Sequence, residues 1–202
     1  MKKMTAARIS NKKFKTLPFT GDWGALLGEP EMNFSMFMFG ESGNGKTNGA
    51  IKLAKYLAKF KKVLFYSVEE GINSSIQKTI IRQGLLKETK VLIGQYEPDK
   101  FESPFDDLEN ELSKRASAHF VFIDSLEYAD MNNKQLKALK RKFPRKSFIT
   151  LGRAEGAKAL SAAGNSAKYD SGIVLYVKDH IIYNIKPRFG GGEPYDMNTL
   201  KK

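Results

Sequence analysis

Apolar residues along the chain fall in short runs that alternate with stretches of helical spacing. A run of apolar residues between turn signals predicts a buried strand, and apolar residues every three or four positions predict a helix. The strands predicted in this way are 32–39, 62–67, 91–93, 119–124, 147–151, 173–177 and 181–186, and the helices are 47–60, 72–82, 105–116 and 134–143. Because strands separated by helices build parallel sheets, we expect an α/β fold. Its mostly parallel central sheet is flanked by helices and ends in a C-terminal antiparallel hairpin.

Segment 152–170 interrupts this regularity. It is rich in Ala, Gly, Ser and Asn and follows neither the helical nor the strand period. Small and polar residues of this kind are typical of loops, and we expect a mobile loop here.

A glycine-rich sequence, Gly40-Glu-Ser-Gly-Asn-Gly-Lys-Thr47, joins the first predicted strand to the first predicted helix of the sheet. It has the pattern GxxxxGK[ST], in which backbone N–H groups and the start of the helix surround phosphates. In such a loop Lys46 neutralises the β- and γ-phosphates, and the Thr47 hydroxyl completes Mg²⁺ coordination. The residues predicted to bind the nucleotide are Gly40, Glu41, Ser42, Gly43, Asn44, Gly45, Lys46, Thr47 and Asn48.

Two other predicted strands lead to acidic residues. Strand 119–124 is apolar up to Asp124, so it carries a carboxylate to the carboxyl edge of the sheet, where ligands bind in open α/β sheets. A Walker B aspartate is needed there to hold Mg²⁺, and Asp124 therefore joins Thr47 as a predicted metal residue. Glu69 and Glu70 follow strand 62–67. Either glutamate could orient the attacking water, or both could be solvated acids before a helix.

Composition narrows the class of protein. The chain has no cysteine, which excludes disulfides, thiolate zinc sites and a cysteine nucleophile, and its two histidines make a histidine-rich metal site a poor expectation. No apolar run approaches the ~20 residues that a bilayer requires, and no apolar segment follows the basic N-terminus as in a secretory signal. We therefore expect a cytoplasmic protein that does not associate with a membrane.

The formal net charge of +12 is unevenly distributed. Residues 1–15 hold six bases and no acid, and we interpret them as a solvated, flexible segment. Residues 97–130 have a net charge of −7, whereas residues 131–168 hold ten bases against one acid. The last block favours a polyanionic partner.

These motifs, taken in order, resemble the RecA-type ATPase core, and most of all the branch that includes RadA, KaiC and the DnaB helicases. The phrases that carry the resemblance are the P-loop, Ser67-Val-Glu69, Ile123-Asp-Ser-Leu-Glu127 and Lys186-Pro-Arg-Phe-Gly190. The resemblance implies a RecA-like P-loop NTPase core over residues 19–195. A basic flexible segment, 1–18, precedes this core and a tail, 196–202, follows it. The resemblance also implies ATP and Mg²⁺ as cofactors, and it implies that Glu69 is the catalytic glutamate and acts with Lys46.

The same resemblance implies an assembly. In the family the K-x-R-F-G phrase supplies basic fingers to the γ-phosphate of a neighbouring subunit. Lys186 and Arg188 are thus candidate catalytic residues, and a homo-oligomer, either a hexamer or a filament, is expected. Arg153, Lys158 and Lys168 correspond in position to the family's DNA-facing loop, which implies contacts with single-stranded DNA. Two positions depart from the pattern, because Pro187 separates the two bases and Thr150 stands where a longer polar sensor is expected.

The leading hypothesis is an oligomeric, Mg²⁺-dependent ATPase that acts on single-stranded DNA in recombination, repair or replication. The accessory domains of RadA and the primase-binding domain of the helicases have no counterpart, so the chain looks like a bare motor core. Such cores occur on some phage or mobile elements and would work in the host cytoplasm. One alternative is a KaiC-like, nucleotide-dependent switch that binds a basic protein through the acidic stretch 97–111. The other is a P-loop kinase of small molecules with segment 152–168 as its lid.

Overall fold

A mostly parallel sheet with helices on both faces organises the chain. The computed structural model describes Met1 and residues 3–198. The strands are β1 (Ser35–Gly40), β2 (Val63–Ser67), β3 (Val91–Gly94), β4 (Phe120–Asp124), β5 (Ser147–Glu155), β6 (Lys158–Ala159), β7 (Ile173–Lys178), β8 (Ile181–Asn184) and β9 (Tyr195–Asp196). The helices are α1 (Ala6–Ser10), α2 (Gly21–Leu27), α3 (Lys46–Ala58), α4 (Ser74–Arg82), α5 (Pro104–Ser113), α6 (Asn133–Lys142) and α7 (Ala162–Asp170).

The strands lie in the order β3-β2-β4-β5-β1-β7-β8-β9. From β3 to β7 each neighbouring pair is parallel, while β7–β8 and β8–β9 are antiparallel. This confirms the predicted α/β fold, its parallel centre and its C-terminal hairpin. Because β1 lies between β5 and β7, the loop that follows it opens at the middle of the carboxyl edge of the sheet.

Two apolar clusters, one on each face, hold the helices to the sheet. Side chains of a strand alternate between its faces, so Met36 and Met38 of β1 enter one cluster with α3, whereas Phe37 and Phe39 enter the other with α5, α6 and α7. All four of these β1 side chains are fully buried. At ~25 cal/mol per Å² of apolar area, such burial is the main stabilising contribution to this layered arrangement.

N-capping residues in the sequence determine where helices α5 and α6 begin. The Ser103 side chain accepts a hydrogen bond from the Asp106 N–H, and Pro104 is the first residue of α5 as expected, although α5 ends at Ser113, before the predicted Ala116. At the start of α6, Asn132 and Gln135 form a reciprocal capping box.

The expectation of a mobile loop at 152–170 is wrong. Strand β5 continues to Glu155, turns at Gly156 and pairs with β6, and helix α7 follows with Ser161 as its N-cap. Gly156 has a φ of +56°, a conformation that residues with a side chain rarely adopt. Thr150, at the position of the expected polar sensor, does not lie at the end of a strand. It lies in the middle of β5, where its hydroxyl donates to the Met36 carbonyl at 3.3 Å.

The core extends past both predicted segment boundaries. Leu17 is fully buried, and Met197 is buried against α3 and β8. The N-terminal segment that precedes Leu17 includes the short exposed helix α1, whose start is capped by the Thr5 side chain. The division into segments 1–18, 19–195 and 196–202 stays a prediction, but the first and last of these segments each contribute a core residue. Among the described residues, no helix has the length and apolar character needed to cross a bilayer.

Leu17→Ala tests whether the first segment is part of the folded unit. Because Leu17 is fully buried, we expect the free energy of unfolding to fall by about 2–5 kcal/mol in urea denaturation. Ile9→Ala is the matched control, since Ile9 is half-exposed and its truncation should change stability by less than about 0.5 kcal/mol. Equal stability of the two variants would show that Leu17 does not pack in solution as it does here.

Candidate functional site

The loop between β1 and α3 is shaped by glycines at two critical points. Gly45 has a φ of +88° just before the first residue of α3, so the chain can turn into the helix. A Cβ on Gly40 would lie 2.2 Å from the Val177 carbonyl oxygen, so only glycine fits where β1 meets β7. Lys46, the first residue of α3, folds back over the loop and donates to the Glu41 carbonyl at 2.9 Å. Burial lowers the pKa of Lys46.

The β7–β8 turn supports this loop from the side. The Asp179 N–H donates to the Asn44 side-chain oxygen at 2.9 Å, and both Asp179 and His180 have positive φ angles. His180 packs so closely that a Cβ on Gly45 would lie 2.6 Å from its Nδ1 atom. Nothing in the sequence marks His180 as a lining residue, because no local pattern links a hairpin turn to a loop more than a hundred residues earlier.

Thr47 and Asp124 meet at the carboxyl edge as predicted. The Thr47 hydroxyl donates to Asp124 Oδ2 at 3.3 Å. Burial, together with the nearby charge of Glu69, raises the pKa of Asp124 to about 7. A hydroxyl and a carboxylate are the hard oxygen ligands that Mg²⁺ prefers, and a cation there would offset the cost of burying the carboxylate. Among the described residues, no cluster of three or more Asp, Glu, His or Cys side chains is placed to hold a metal ion.

Glu69 faces the same edge, but it is held by an arginine. Arg153 Nη2 donates to Glu69 Oε1 at 2.5 Å and to the Tyr128 hydroxyl at 3.0 Å, and the guanidinium lies 5.0 Å from the Tyr128 ring centroid. Arg153 was predicted to contact DNA, but its guanidinium is here directed to Glu69 because β5 continues past Thr150. Glu70 is exposed, and its carboxylate accepts from Asn73 at the start of α4. Of the two glutamates, Glu69 is therefore the one paired inside the site.

Two more acids hold the β5–β6 hairpin beside the loop. Glu41 Oε1 accepts from the Gly156 N–H at 2.8 Å. Glu127 Oε1 accepts from the Arg153 N–H at 3.3 Å and from the Ser161 hydroxyl at 2.9 Å. The hairpin is thus attached to the glycine-rich loop and to the residues after β4.

A cavity of about 610 Å³ runs from the glycine-rich loop toward α4 and the end of the described chain. At its far side the Asn48 side-chain oxygen accepts from Gln83 at 2.6 Å and from Arg82 at 3.1 Å, and Lys52 donates to the Met197 carbonyl at 2.7 Å. The lining residues that no sequence motif indicates are Lys52, Ser75, Thr79, Arg82, Gln83, His180, Met197 and Asn198.

Comparison with solved structures identifies the fold. A KaiC-like protein from the archaeon Pyrococcus horikoshii OT3 superposes with a TM-score of 0.63 at 16% identity, covering 91% of this chain and 94% of its own. The flagellar accessory protein FlaH from Methanocaldococcus jannaschii gives 0.63 at 13% identity, covering 91% and 92%. The chain has the RecA-like P-loop ATPase fold.

A third RecA-like structure is an ATP synthase subunit, NeqB, from Nanoarchaeum equitans. It superposes with a TM-score of 0.56 at 15% identity over 82% of this chain and 51% of that one. No protein-family model and no curated protein matches the sequence. The likeness to these structures therefore shows the fold, whereas the chemistry depends on the residues of the site.

The predicted fingers of the RecA-like core differ in their surroundings. Lys186 donates to the Tyr169 carbonyl at 3.0 Å and to the Ser171 carbonyl at 2.7 Å, so in this structure its amine caps the end of α7. Arg188 is exposed, and its guanidinium makes no hydrogen bond or ion pair with a described residue. Neither residue lines the cavity at the glycine-rich loop in the described part of the chain.

The three predicted DNA-binding residues, Arg153, Lys158 and Lys168, also differ in their surroundings. Lys158 is exposed on β6, whereas Lys168 on α7 donates to the Ala157 carbonyl at 3.1 Å and lies 4.7 Å from the Phe39 ring centroid. Arg153 is directed into the site described above. The structure thus brings Lys46, Thr47, Glu69, Asp124 and Arg153 together and leaves Lys158, Lys168 and Arg188 outside that group.

Proposed function

We propose that this chain is a Mg²⁺-dependent ATPase that works as a homo-oligomer and acts on single-stranded DNA. The observation that carries the proposal is the convergence of Lys46, Thr47, Asp124 and Glu69 on one cavity at the carboxyl edge of a RecA-like sheet. This set of residues covers the needs of phosphoryl transfer to water, namely a phosphate cradle, a metal position and a base.

The binding step uses the P-loop. Backbone N–H groups at the start of α3 face the phosphates, and Lys46 exchanges its hydrogen bond with the Glu41 carbonyl for the β- and γ-phosphates. Thr47 and Asp124 would hold Mg²⁺, which when bound offsets the negative charge between the β- and γ-phosphates. Asn48 and the α4 side chains around it line the far end of the cavity, where the nucleoside would lie.

Glu69 is the proposed base. A carboxylate at this position, in the same cavity as Asp124, would accept a proton from the attacking water. In this structure its carboxylate is paired with Arg153, which leaves it less available to contact a water molecule. An incoming γ-phosphate competes with Glu69 for the Arg153 guanidinium, so nucleotide binding itself would release the base.

Lys46→Ala and Glu69→Gln separate binding from chemistry. Lys46→Ala should abolish nucleotide binding and turnover, because the cradle loses its cation. Glu69→Gln should keep nucleotide binding and lower phosphate release by about 10²–10⁴-fold, because an amide cannot accept the proton. Binding is measured with a fluorescent ATP analogue and turnover by phosphate release. Glu70→Gln is the control and should retain most activity. A fully active Glu69→Gln protein would remove Glu69 from the proposal.

Arg188 is the proposed trans-acting finger. It is the exposed base of the K-x-R-F-G phrase, and a guanidinium placed on a neighbour's γ-phosphate is worth ~10³–10⁵ in rate. Lys186 is proposed instead to stabilise the α7 end, since its amine is already engaged there.

Mixing Arg188→Ala with Glu69→Gln subunits tests the finger. Each variant alone should be nearly inactive, and the mixture should recover part of the activity because an intact base and an intact finger meet at some interfaces. Arg8→Ala mixed with Glu69→Gln is the control for exchange with an active partner. Gel filtration with and without ATP and Mg²⁺ should show assembly. A monomer with full activity would contradict the trans arrangement and favour the kinase alternative.

The DNA contact is proposed at α7 and the β5–β6 hairpin. Tyr169 is 89% exposed, and it shares a cavity of about 460 Å³ with Lys168 and Arg188. Proteins that bind single strands use exposed aromatic rings to stack on nucleobases and nearby Lys and Arg side chains to contact phosphates. The hairpin is joined to the site through Glu41 and Arg153, so a ligand here can influence Glu69.

Single-stranded DNA should stimulate phosphate release, and Tyr169→Ala together with Lys158→Ala should remove the stimulation while the basal rate stays. Basal phosphate release provides the internal control. No stimulation and no binding at low salt would exclude the DNA action.

A nucleotide-dependent protein switch is the second candidate. A groove of about 540 Å³ beside β3 is lined by Glu97, Asp107 and Glu111, and also by Lys100 and Lys114, which pair with Glu97 and Glu111. A basic partner would bind there by exchanging these ion pairs for its own. ATP-dependent assembly with negligible turnover would favour this candidate. The kinase alternative receives no support from the structure, because its expected mobile lid is a strand and a helix attached to Glu41 and Glu127.

A further inference from the structure

The amino ends of the parallel strands collect positive charge. Lys61 and Lys62 directly precede β2, and Arg145 and Lys146 directly precede β5. Arg115 lies between the end of α5 and the start of β4. Because β2, β4 and β5 are parallel, these amino ends share one edge of the sheet, opposite to the edge that carries Glu69 and Asp124.

A pocket of about 400 Å³ opens at this edge between the ends of α5 and α6. Arg115, Arg145 and Lys146 line it together with His119 and Phe143. Phe143 is half-buried, and the amines of Lys142 and Lys146 lie 5.8 and 5.9 Å from its ring centroid. The pocket therefore combines several bases with one aromatic ring.

Some of the positive charge at this edge is already compensated. Lys142 pairs with Glu109 at 3.1 Å, and Lys114 pairs with Glu111. Lys146 donates to the Ser117 hydroxyl at 2.9 Å and to the Ala118 carbonyl, and cations near helix ends also complement the helix dipoles. These contacts give local structural reasons for Lys114, Lys142 and Lys146.

They do not account for the two arginines. Arg115 and Arg145 are exposed, and neither guanidinium forms an ion pair or a hydrogen bond with a described residue. Both extend from turns at the mouth of the pocket. His119 lies behind them, with its Nε2 atom 3.0 Å from the Met32 carbonyl oxygen. Burial lowers the pKa of His119, and the positive charges of Lys146, Lys61 and Lys15 lower it further, so at neutral pH the imidazole stays neutral while the bases around it are charged.

We propose that this edge binds the phosphate backbone of single-stranded nucleic acid. The amino-edge basic surface consists of Lys15, Lys61, Lys62, Arg115, Arg145 and Lys146. Uncompensated arginines are suited to phosphate oxygens because the guanidinium offers several donors in one plane, and Phe143 offers a ring for a base. The choice of a single strand rests on the proposed function. The surface itself is independent of the ATPase site and lies at the other edge of the sheet from Glu69.

The test measures binding of fluorescent oligothymidylate to the full chain by anisotropy, without nucleotide and over a range of salt concentrations. Arg115→Ala combined with Arg145→Ala should weaken binding at least about tenfold. The slope of log K against log salt should fall by about 1.4, because each lost phosphate contact removes ~0.7 for a single strand. Both arginines are exposed, so the unfolding midpoint and basal phosphate release should not change.

Two other double variants make the result specific. Lys78→Ala with Lys134→Ala removes the same charge from exposed helix positions and should leave binding within about twofold. Lys158→Ala with Lys168→Ala removes the bases of the proposed hairpin contact. If the Lys158/Lys168 variant weakens binding and the Arg115/Arg145 variant does not, the amino-edge proposal is overturned while the proposed DNA action stands.

Two outcomes with the unmodified chain also decide the matter. Failure to bind oligothymidylate at low salt overturns both DNA proposals, and phosphate release without DNA then still tests the ATPase. Binding of polyglutamate but not of oligothymidylate overturns the nucleic-acid assignment and identifies an acidic protein as the occupant of this surface.

Discussion

The common direction of the central strands is the constraint on which the rest of this structure depends. Since β3, β2, β4, β5, β1 and β7 all run the same way, everything that follows a strand in sequence arrives at one edge, and everything that precedes a strand arrives at the other. The glycine-rich loop, Glu69 and Asp124 therefore meet although they are far apart in the sequence. The same rule gathers Lys61, Arg115 and Arg145 at the opposite edge.

Bringing acids together at one edge creates an electrostatic problem that the site solves locally. Asp124 is buried beside the charge of Glu69, and its pKa is raised accordingly. Lys46 and Arg153 are the positively charged described residues beside these acids. Arg153 forms a direct hydrogen bond with Glu69, whereas Lys46 acts on the acids through its nearby charge. A divalent cation would add positive charge beside Asp124, and phosphates would add negative charge beside Lys46 and Arg153. Each ligand would therefore offset a charge that the site already holds.

The sequence predicts the parts of this structure whose signal is local. Asp124 follows a run of apolar residues and the glycine-rich loop has a fixed spacing, so the sequence alone predicts both at the carboxyl edge, where they lie. Segment 152–170 could not be predicted in the same way, because α7 is built from Ala, Gly, Asn and Ser with a weak apolar face. The signal that could have revealed this helix is Ser161, a capping residue followed by alanines.

The roles of Arg153 and Lys186 could not be predicted from the sequence for a different reason. Each depends on a contact with a distant segment, Glu69 for Arg153 and the end of α7 for Lys186. A base in a basic block looks the same in sequence whether it is solvated or paired. The distinction is made only by the pairing of β5 with β4 and by the position of α7 beside the end of β8.

The two edges of the sheet are joined by few routes, and this limits how a ligand at one edge can act on the other. Strand β4 has five residues, so its ends lie about 17 Å apart, which is too far for a direct contact between the amino-edge basic surface and Glu69. Strands β2 and β5 span this distance on either side of β4. Each has bases of the amino-edge basic surface before it, and each leads to one partner of the ion pair, Glu69 after β2 and Arg153 near the end of β5.

A shift of β2 or β5 along β4 would therefore change the distance between Glu69 and Arg153. On the β2 side, the Val68 and Glu69 N–H groups both donate to the Asp124 carbonyl and so fix Glu69 to the end of β4. Strand β5 pairs with β4 as far as Thr150 and with β1 as far as Arg153, which lies opposite Gly40. If nucleic acid at the amino edge affects hydrolysis within one subunit, β5 is the strand that connects this edge both to Arg153 and, through its pairing with β1, to the glycine-rich loop.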